Sequence, residues 1–554
     1  MAAITGSELN PVTRAAAVAA LRATTQANPI DILVIGGGVV GAGAAFDAAS
    51  RGLTVGLLER RDYASGTSSR SSRLAHGGLR YLEQREFALV HEALTERGLL
   101  LERIAPHLVR PVPFILPVTR RWQVPYFGVG VELYDMLSRA GAYGGRMTRP
   151  KMLGREAARL VAPCLNPEVI DGAVTFHDAQ IDDARHVLAL VRSAADMGAR
   201  VANSVEVTGF IRFGDRVVGV QAHDLVQGAR FEVHARAVVS AAGVWTDGLR
   251  DLLGGEPQAT VRQSKGVHLV VPRAAIRSSS AVITRTPASV LFLLPWGDRW
   301  IVGTTDTDFD GDPDNPDVSE SDVTYLLEQA NRWLLTPLSP ADVIGSYAGL
   351  RPLVQQGLAE ESSAKVSREH AVSRPVPGIV MITGGKYTTY RVMARDVIDA
   401  AIVERAAIIA APVDACRTDQ LPVIGAEGFS ESWNGRAEVA AEYGLSVETV
   451  EFLLRRHGSH VGEVLSLGAA DRALFEPLDP DAPYLRAEVI HGVTHEGART
   501  IEDVLLRRMR IGMEIPNRAE SVVNLVADLM ASALGWDADE RAAAVADYSV
   551  PISK

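Results

Sequence analysis

A chain of 554 residues is too long for one ordinary domain and predicts roughly two to four units. With 47% hydrophobic and 22% charged residues it has globular composition, which argues against long disordered segments. A formal charge of −11 makes a general nucleic-acid binder a poor fit, and the two cysteines, Cys164 and Cys416, exclude a disulfide framework and a Cys-rich zinc or iron–sulfur site.

In chain order, residues 1–28 read as a polar, Ala-rich lead-in with one loose helix, too short and weakly apolar for a signal peptide. Asp31 to Ile35 is an apolar strand followed at once by Gly36-Gly37-Gly38. Val39 to Ser50 is a helix of small residues, Arg51-Gly52 ends it, and Leu53 to Leu58 is a second strand, which together make a βαβ unit. The spacing predicts a helix over Glu83 to Ile104 and irregular or strand structure over 105–130. A helix is expected over Asp182 to Gly198, then strands over Ala199 to Phe210 with a hairpin at Gly214-Asp215. Further strands are expected over Ala237 to Ala242, over 281–305 with a turn at Gly297-Asp298, and over Gly378 to Thr383. From about residue 431 the pattern is helical. No segment reaches the roughly eighteen uncharged apolar residues of a membrane span; the run Ala400 to Val413 is broken by Glu404 and Arg405. The expected fold is α/β: a nucleotide-binding domain, a sheet-based second domain and a helical tail.

Gly36-x-Gly38-x-x-Gly41 sits directly after a strand and opens a helix. The first glycine allows the tight turn, the second lets a pyrophosphate approach the backbone, and the third lets helix and strand pack closely. The helix N-terminus adds free N–H groups for the phosphates. Glu59 closes the second strand where an acid binds the ribose hydroxyls of an adenosine. This fingerprint does not choose between FAD and NAD. Val238 to Trp245, a strand turning at Gly243, and Ile379 to Lys386, a strand ending in Gly384-Gly385, resemble the layout of glutathione-reductase-type flavoproteins.

Four further stretches carry a more specific resemblance: Thr67 to Glu83 (TSSRSSRLAHGGLRYLE), Gly303-Thr304-Thr305-Asp306, Gly349-Leu350-Arg351-Pro352-Leu353, and Gly384 to Arg391 (GGKYTTYR). In this order they resemble FAD-dependent glycerol-3-phosphate dehydrogenase, from about residue 30 to 395. Tyr484 to Glu488 and His495 to Arg508 look similar in the tail. The resemblance implies an FAD-binding part built from residues 29–110, 165–260 and 345–400, a substrate-binding and membrane-facing part from 111–164 and 261–344, and a helical domain over 401–554. It implies FAD held by Gly36, Gly38, Gly41, Glu59, Ser68, Ser69, Ser72, Gly243, Gly385 and Lys386, with Ser71 beside them. It also implies sn-glycerol 3-phosphate as substrate, oxidised to dihydroxyacetone phosphate.

Elementary chemistry agrees. A phosphorylated polyol needs a cationic clamp, preferably of arginine. Arg80, Arg351 and Arg368 match the family's arginines, with Tyr81 as a hydroxyl partner; a solvated face is the bland alternative for any one of them. The C2 hydroxyl must lose a proton as hydride leaves. Lys386 is the first candidate for base, or for a cation that orients the C2 oxygen, and His76 and His268 are the others.

Two stretches remain. Asp306 to Asp317 matches part of an EF-hand loop, but it follows strand residues and carries Pro313 and Pro316, so it reads as an acidic exposed loop and no metal is assigned. Arg120 to Tyr134 mixes cations with aromatics, which suits a membrane interface or, equally, a loop with snorkelling arginines. The resemblance tips it to the membrane, because the family passes electrons to quinone. The expected protein is cytoplasmic, peripheral on the inner face of the cell membrane, with a homodimer left open and no nucleic-acid partner. An oxidase of the same substrate using O₂ stays open, as does, further off, an amine or amino-acid oxidase.

Overall fold

The computed structural model describes residues 6–140, 147–254, 261–287, 289–354 and 369–549, with the backbone alone for Arg80, Ala140, Val354 and Ser549. Its first sheet has Ile30–Ile35 at the centre, paired in parallel with Val55–Leu58 on one side and with the end of Ala229–Ser240 on the other. Arg200–Ala202 extends one edge and Ile379–Gly384 the other, capped by antiparallel His370–Ser373. Ile32, Leu33 and Val34 are fully buried, as a parallel strand covered on both faces must be. The helices Val39–Ser50, Asp183–Asp196 and Tyr390–Ala406 cover one face, and the helix Pro11–Arg22 lies on the other, where Val18 and Leu21 join the core. The expected helix over Asp182 to Gly198 is Asp183–Asp196, capped by the Asp182 carboxylate.

Among the described residues the second sheet has ten strands. Val261–Pro272 pairs antiparallel with both Arg299–Gly303 and Gly345–Val354, and the register sets Ser264 opposite Arg351 and His268 opposite Tyr347. Gly172–Ile181 pairs with Val109–Val118 in the same sheet. Both Gly172–Ile181 and Gly345–Val354 thus lie in this second sheet, not with the βαβ strands among which the sequence division put them.

Residues 105–130 also differ from expectation. Val109–Val118 is a strand, but Gln123–Ala140 is a helix of 18 residues. Pro125 falls in its first turn, where the missing N–H costs nothing. Val131, Tyr134 and Ser138 turn inward at helical spacing while Gly128 is overlain by Met152. Two glycines and a proline hid this periodicity.

The tail begins its helices at Phe429–Asn434 and ends with Ala538–Ser549. It grips the first sheet's loops through three buried arginines. Arg507 and Arg508 both donate to Asp62 at 2.6 Å. Arg510 donates to Asp182 at 2.9 Å, to Asp183, and to the Ser69 carbonyl at 3.1 Å. Burial would raise the Asp182 carboxyl, but Arg510, Arg456 and Arg73 outweigh it and hold it down at about 2. Removing Asp62 would leave the buried Arg508 guanidinium without its ion-pair partner, which costs several kcal/mol.

Candidate active site

A cavity of about 600 Å³ runs between the two sheets. At the glycine turn, Gly36 has φ +105° and an added Cβ would lie 2.6 Å from the Ala241 carbonyl oxygen. On Gly41 a Cβ would land on the Gly36 carbonyl, so strand and helix touch through backbone alone. The helix Val39–Ser50 begins at Gly38 with no cap from that residue's side chain; instead the Ser68 hydroxyl accepts from Val39 N–H at 3.0 Å. Glu59 accepts from Gly37 N–H at 2.7 Å and from Arg61 N–H at 2.8 Å. Burial pushes its carboxyl up, against the lowering pull of those two amides. The carboxylate is thereby fixed beside the glycine turn, with lone pairs left for ribose hydroxyls. A backbone cradle that admits no side chains, an open helix N-terminus and a fixed acid fit the pyrophosphate and ribose of a dinucleotide.

The same cavity is lined by Ser72, His76, Tyr81, Gly243, His268, Arg351, Gly385 and Lys386. Gly384 and Gly385 have φ of +76° and +84°, a turn that side-chain-bearing residues resist. It ends the strand Ile379–Gly384 and sets Lys386 Nζ 3.7 Å above the Tyr81 ring centroid, a cation–π contact. His76 N–H donates to Thr388 Oγ1 at 3.0 Å, which ties this turn to the Thr67 to Glu83 segment. Arg351 is held from behind: it donates to Thr304 Oγ1 at 3.0 Å and to the Thr305 carbonyl at 3.2 Å, with Asp306 at 3.7 Å. Gly266 carries no Cβ because the Arg351 guanidinium lies across it. His268 is stacked on Tyr347 at 4.8 Å and its Nε2 is 2.8 Å from the Ser72 hydroxyl.

Of the remaining expected residues, Gly41 packs behind the cavity and Ser69 is buried with its carbonyl on Arg510. Arg80 opens the short helix Arg80–Glu83, and Arg368 lies outside the described residues. The sequence reading missed a group at the cavity's edge. Trp245 Nε1 and Arg60 both donate to Asp314 at 2.6 Å, and Arg61 lies 4.9 Å above the Trp245 ring. Two arginines directly after Glu59 were the available signal. Arg70 lines the cavity as well, its guanidinium pushed down to about 10 by burial.

Four acids of the 306–317 loop go to separate partners: Asp306 to Ser264, Asp308 to Arg262, Asp314 to Arg60 and Asp317 to Lys265. Among the described residues, His457, His491 and Glu496 offer three ligand atoms within 4.8 Å of one another. Arg185 donates to Glu496 at 2.6 Å and lies 3.1 Å from His457 Nδ1, so a cation there would meet fixed positive charge.

His107, His186 and His268 are each pushed down to about 3, by burial in every case and at His268 by Arg351 and Arg73 besides. In the unfolded chain a histidine binds its proton near pH 6.5, so between about 6.5 and 3 the unfolded state holds more protons. Stability is therefore full above pH 6.5 and falls as pH drops, by on the order of 1–2 kcal/mol per histidine at pH 5. Tm scanned from pH 7.5 to 5 should decline by several degrees; a flat Tm would contradict these buried neutral rings.

A dinucleotide cradle and a cationic end with Arg351 and Lys386 share one cavity, the layout of a redox enzyme that uses a bound dinucleotide. Residues 31–397 match the family described as FAD dependent oxidoreductase, and residues 416–541 match the C-terminal domain of alpha-glycerophosphate oxidase. The chain is 47% identical over 525 residues to glycerol-3-phosphate dehydrogenase of Mycobacterium leprae, covering 94% of this chain and 88% of that one. It is 35% identical over 548 residues to the mitochondrial glycerol-3-phosphate dehydrogenase of Homo sapiens, covering 95% and 73%. The X-ray structure of glycerol-3-phosphate dehydrogenase from Bacillus halodurans complexed with FAD superposes with a TM-score of 0.77 at 27% identity, covering 98% of this chain and 97% of that one. The chain belongs to the FAD-dependent glycerol-3-phosphate dehydrogenase family, and FAD is its cofactor.

Proposed function

We propose that this protein oxidises sn-glycerol 3-phosphate to dihydroxyacetone phosphate and passes the electrons to a membrane quinone. The observation that carries the reading is the presence of Arg351, Lys386 and His268 in the cavity that holds the dinucleotide cradle. When bound, FAD supplies a two-electron acceptor for hydride. Arg351, braced by Thr304 and Thr305, offers a fixed fork to phosphate oxygens. Lys386 orients the C2 oxygen, or takes its proton. His268 is the other candidate to take it: its Nδ1 has no hydrogen-bond partner among the described residues, while burial and Arg351 hold the ring neutral and weaken it as a base. Phe176, Phe292 and Ile283 line the passage and keep water from the reacting carbon. The family resemblance adds Arg80 and Arg368 as phosphate partners, and Ser68, Ser72 and Gly243 hold the cofactor.

Anaerobic titration tests this. The flavin band should bleach with glycerol 3-phosphate and not with glycerol. Arg351→Ala should keep its FAD and lose about 2–5 kcal/mol of substrate or transition-state binding, read as kcat/KM. Bleaching by glycerol alone, or an unchanged kcat/KM in the variant, would reject the phosphate clamp.

The membrane contact rests on the helix Gln123–Ala140 and its approach. Trp122, Tyr126, Val129 and Met136 are 58–69% exposed. Arg120 and Arg121 flank them, also exposed. Among the described residues no helix is long and apolar enough to cross a membrane. Such a face lies in the interface, with aromatics in the headgroup layer and arginines on anionic lipid, each worth about 1 kcal/mol. Replacing Arg120, Arg121 and Trp122 by Ser should release the protein from anionic vesicles. Turnover with a long-chain quinone should fall while turnover with a soluble dye stays. Equal vesicle binding by the triple variant would remove this helix as the anchor, and fast peroxide formation without quinone reduction would favour an oxidase.

A further inference from the structure

A second cavity, of about 420 Å³, lies between the helix Pro11–Arg22, the strand Arg200–Ala202 and the tail segment from Val493 to Arg499. Its size falls within the roughly 300–1,000 Å³ of small-molecule sites. The walls are apolar and low: Ala16, Ala17, Ala20, Ala199, Val201 and Ala498. The N-terminal segment is stitched to the tail at its rim, with Leu9 N–H donating to the His495 carbonyl at 3.0 Å and Gly497 N–H to the Leu9 carbonyl at 2.6 Å.

Three polar side chains on this lining are unspent. Arg499 and Arg200 are half-buried, and neither guanidinium makes a hydrogen bond or ion pair among the described residues. Tyr63 is 2% exposed and its hydroxyl has no hydrogen-bond partner among the described residues. The other charges nearby are accounted for. Arg14 is paired with Asp224 at 2.6 Å, Asp503 is taken by Arg507, and Glu8 is half-exposed at the rim with Asn10 and His495 as neighbours. Burial and the neighbouring Arg14 push the Arg499 guanidinium down, and Asp503 and Asp224 only partly offset that. Half-buried and, among the described residues, unpaired, the two guanidinium groups keep donors available to an anion that enters the cavity.

We propose that this cavity binds a medium-chain aliphatic carboxylate, its headgroup on Arg499 and Tyr63 and its chain along the alanine walls. A carboxylate is planar and singly charged, so it matches the guanidinium fork and still accepts from a phenol. The chain fills a volume that water would find few partners in. Tyr63 lines this cavity and packs on the glycine turn of the first: a Cβ on Gly37 would lie 2.9 Å from Tyr63 Cδ1, and Gly37 N–H donates to Glu59. The bound carboxylate would thus lie one side chain away from the FAD cradle without entering it.

Calorimetric titration of the full-length FAD-loaded enzyme with decanoate, below its micellar range, tests this. Saturable one-site binding is expected, with acetate and decanol each weaker by about tenfold or more, since each lacks one half of the match. Arg499→Gln should weaken decanoate by about tenfold and leave decanol unchanged. Tyr63→Phe keeps the packing on Gly37 and should weaken decanoate several-fold with FAD content intact. Ala17→Leu fills the cavity and should abolish binding, which keeps the test decisive even where Arg499→Gln fails to fold. Absence of saturable heat, or decanoate binding undiminished by Ala17→Leu or by a folded Arg499→Gln, overturns the proposal.

Discussion

Alanine at position 41 will cost the protein its FAD. The Cβ it adds would fall on the Gly36 carbonyl oxygen and 3.5 Å from the Ala241 Cβ. Gly36 in turn has no room, because its own added Cβ would meet the Ala241 backbone. Strand, glycine turn and helix are in backbone contact here, and no flexible side chain can yield. The helix must back away and carry its N-terminal amides out of reach of the pyrophosphate. Each 1.4 kcal/mol lost is tenfold in affinity, so a displacement that breaks two or three phosphate hydrogen bonds should leave under about a tenth of the sites filled. Position 38 behaves differently. A Cβ there meets only the Ser68 hydroxyl, at 3.3 Å, so Gly38→Ala should fold normally and lose flavin mildly. Gly38→Val puts bulk where the pyrophosphate must lie and should lose it fully. The flavin-to-protein absorbance ratio of purified variants, with circular dichroism as the check on folding, orders all three. A folded Gly41→Ala protein with stoichiometric yellow flavin would mean that the fingerprint does not hold the cofactor.

What the sequence made legible is local. The βαβ unit could be read because its strands, glycines and acid lie within about thirty residues, each with a fixed offset. The hairpin at Gly214-Asp215 and the turn at Gly297-Asp298 were read from adjacent residues for the same reason. The sites that escaped are pairings between distant segments. Asp314 meets Arg60 across 254 positions, and Asp62 meets Arg507 across 445. Neither residue of such a pair carries a local signature, since an arginine on a solvated face has the same neighbours in sequence. The helix Gln123–Ala140 escaped for the opposite reason: its local signals, Pro125, Gly128 and Gly130, pointed to a loop, and packing of Val131 and Tyr134 overrode them. Arg351 and Lys386 were named only because the motifs around them resemble a family. Composition alone could not have separated them from the other basic residues.

Lys386→Met will sharply slow flavin reduction. Methionine keeps most of the stem's bulk, while the ammonium and its cation–π contact with Tyr81 are lost. The turn that presents it is rigid: Gly384 and Gly385 are both left-handed, a Cβ on Gly385 would collide with Met393, and Thr388 is tied to His76. The charge is therefore removed from a fixed position, and no neighbouring cation can swing in to replace it from the same turn. Loss of a base or of a positioned oxyanion partner costs roughly 10²–10⁴-fold. Stopped-flow reduction under anaerobic conditions measures that step apart from reoxidation. Lys386→Arg divides the two roles. If Lys386 orients the C2 oxygen by its charge, arginine should recover part of the rate; if it takes the hydroxyl proton, arginine should recover none, because a guanidinium stays protonated. Recovery by arginine would move the proton to the other candidate in reach, the neutral imidazole of His268, whose Nε2 is already engaged by Ser72. His268→Asn should then match the loss seen in Lys386→Met. Reduction of Lys386→Met at the wild-type rate would exclude Lys386 from both roles.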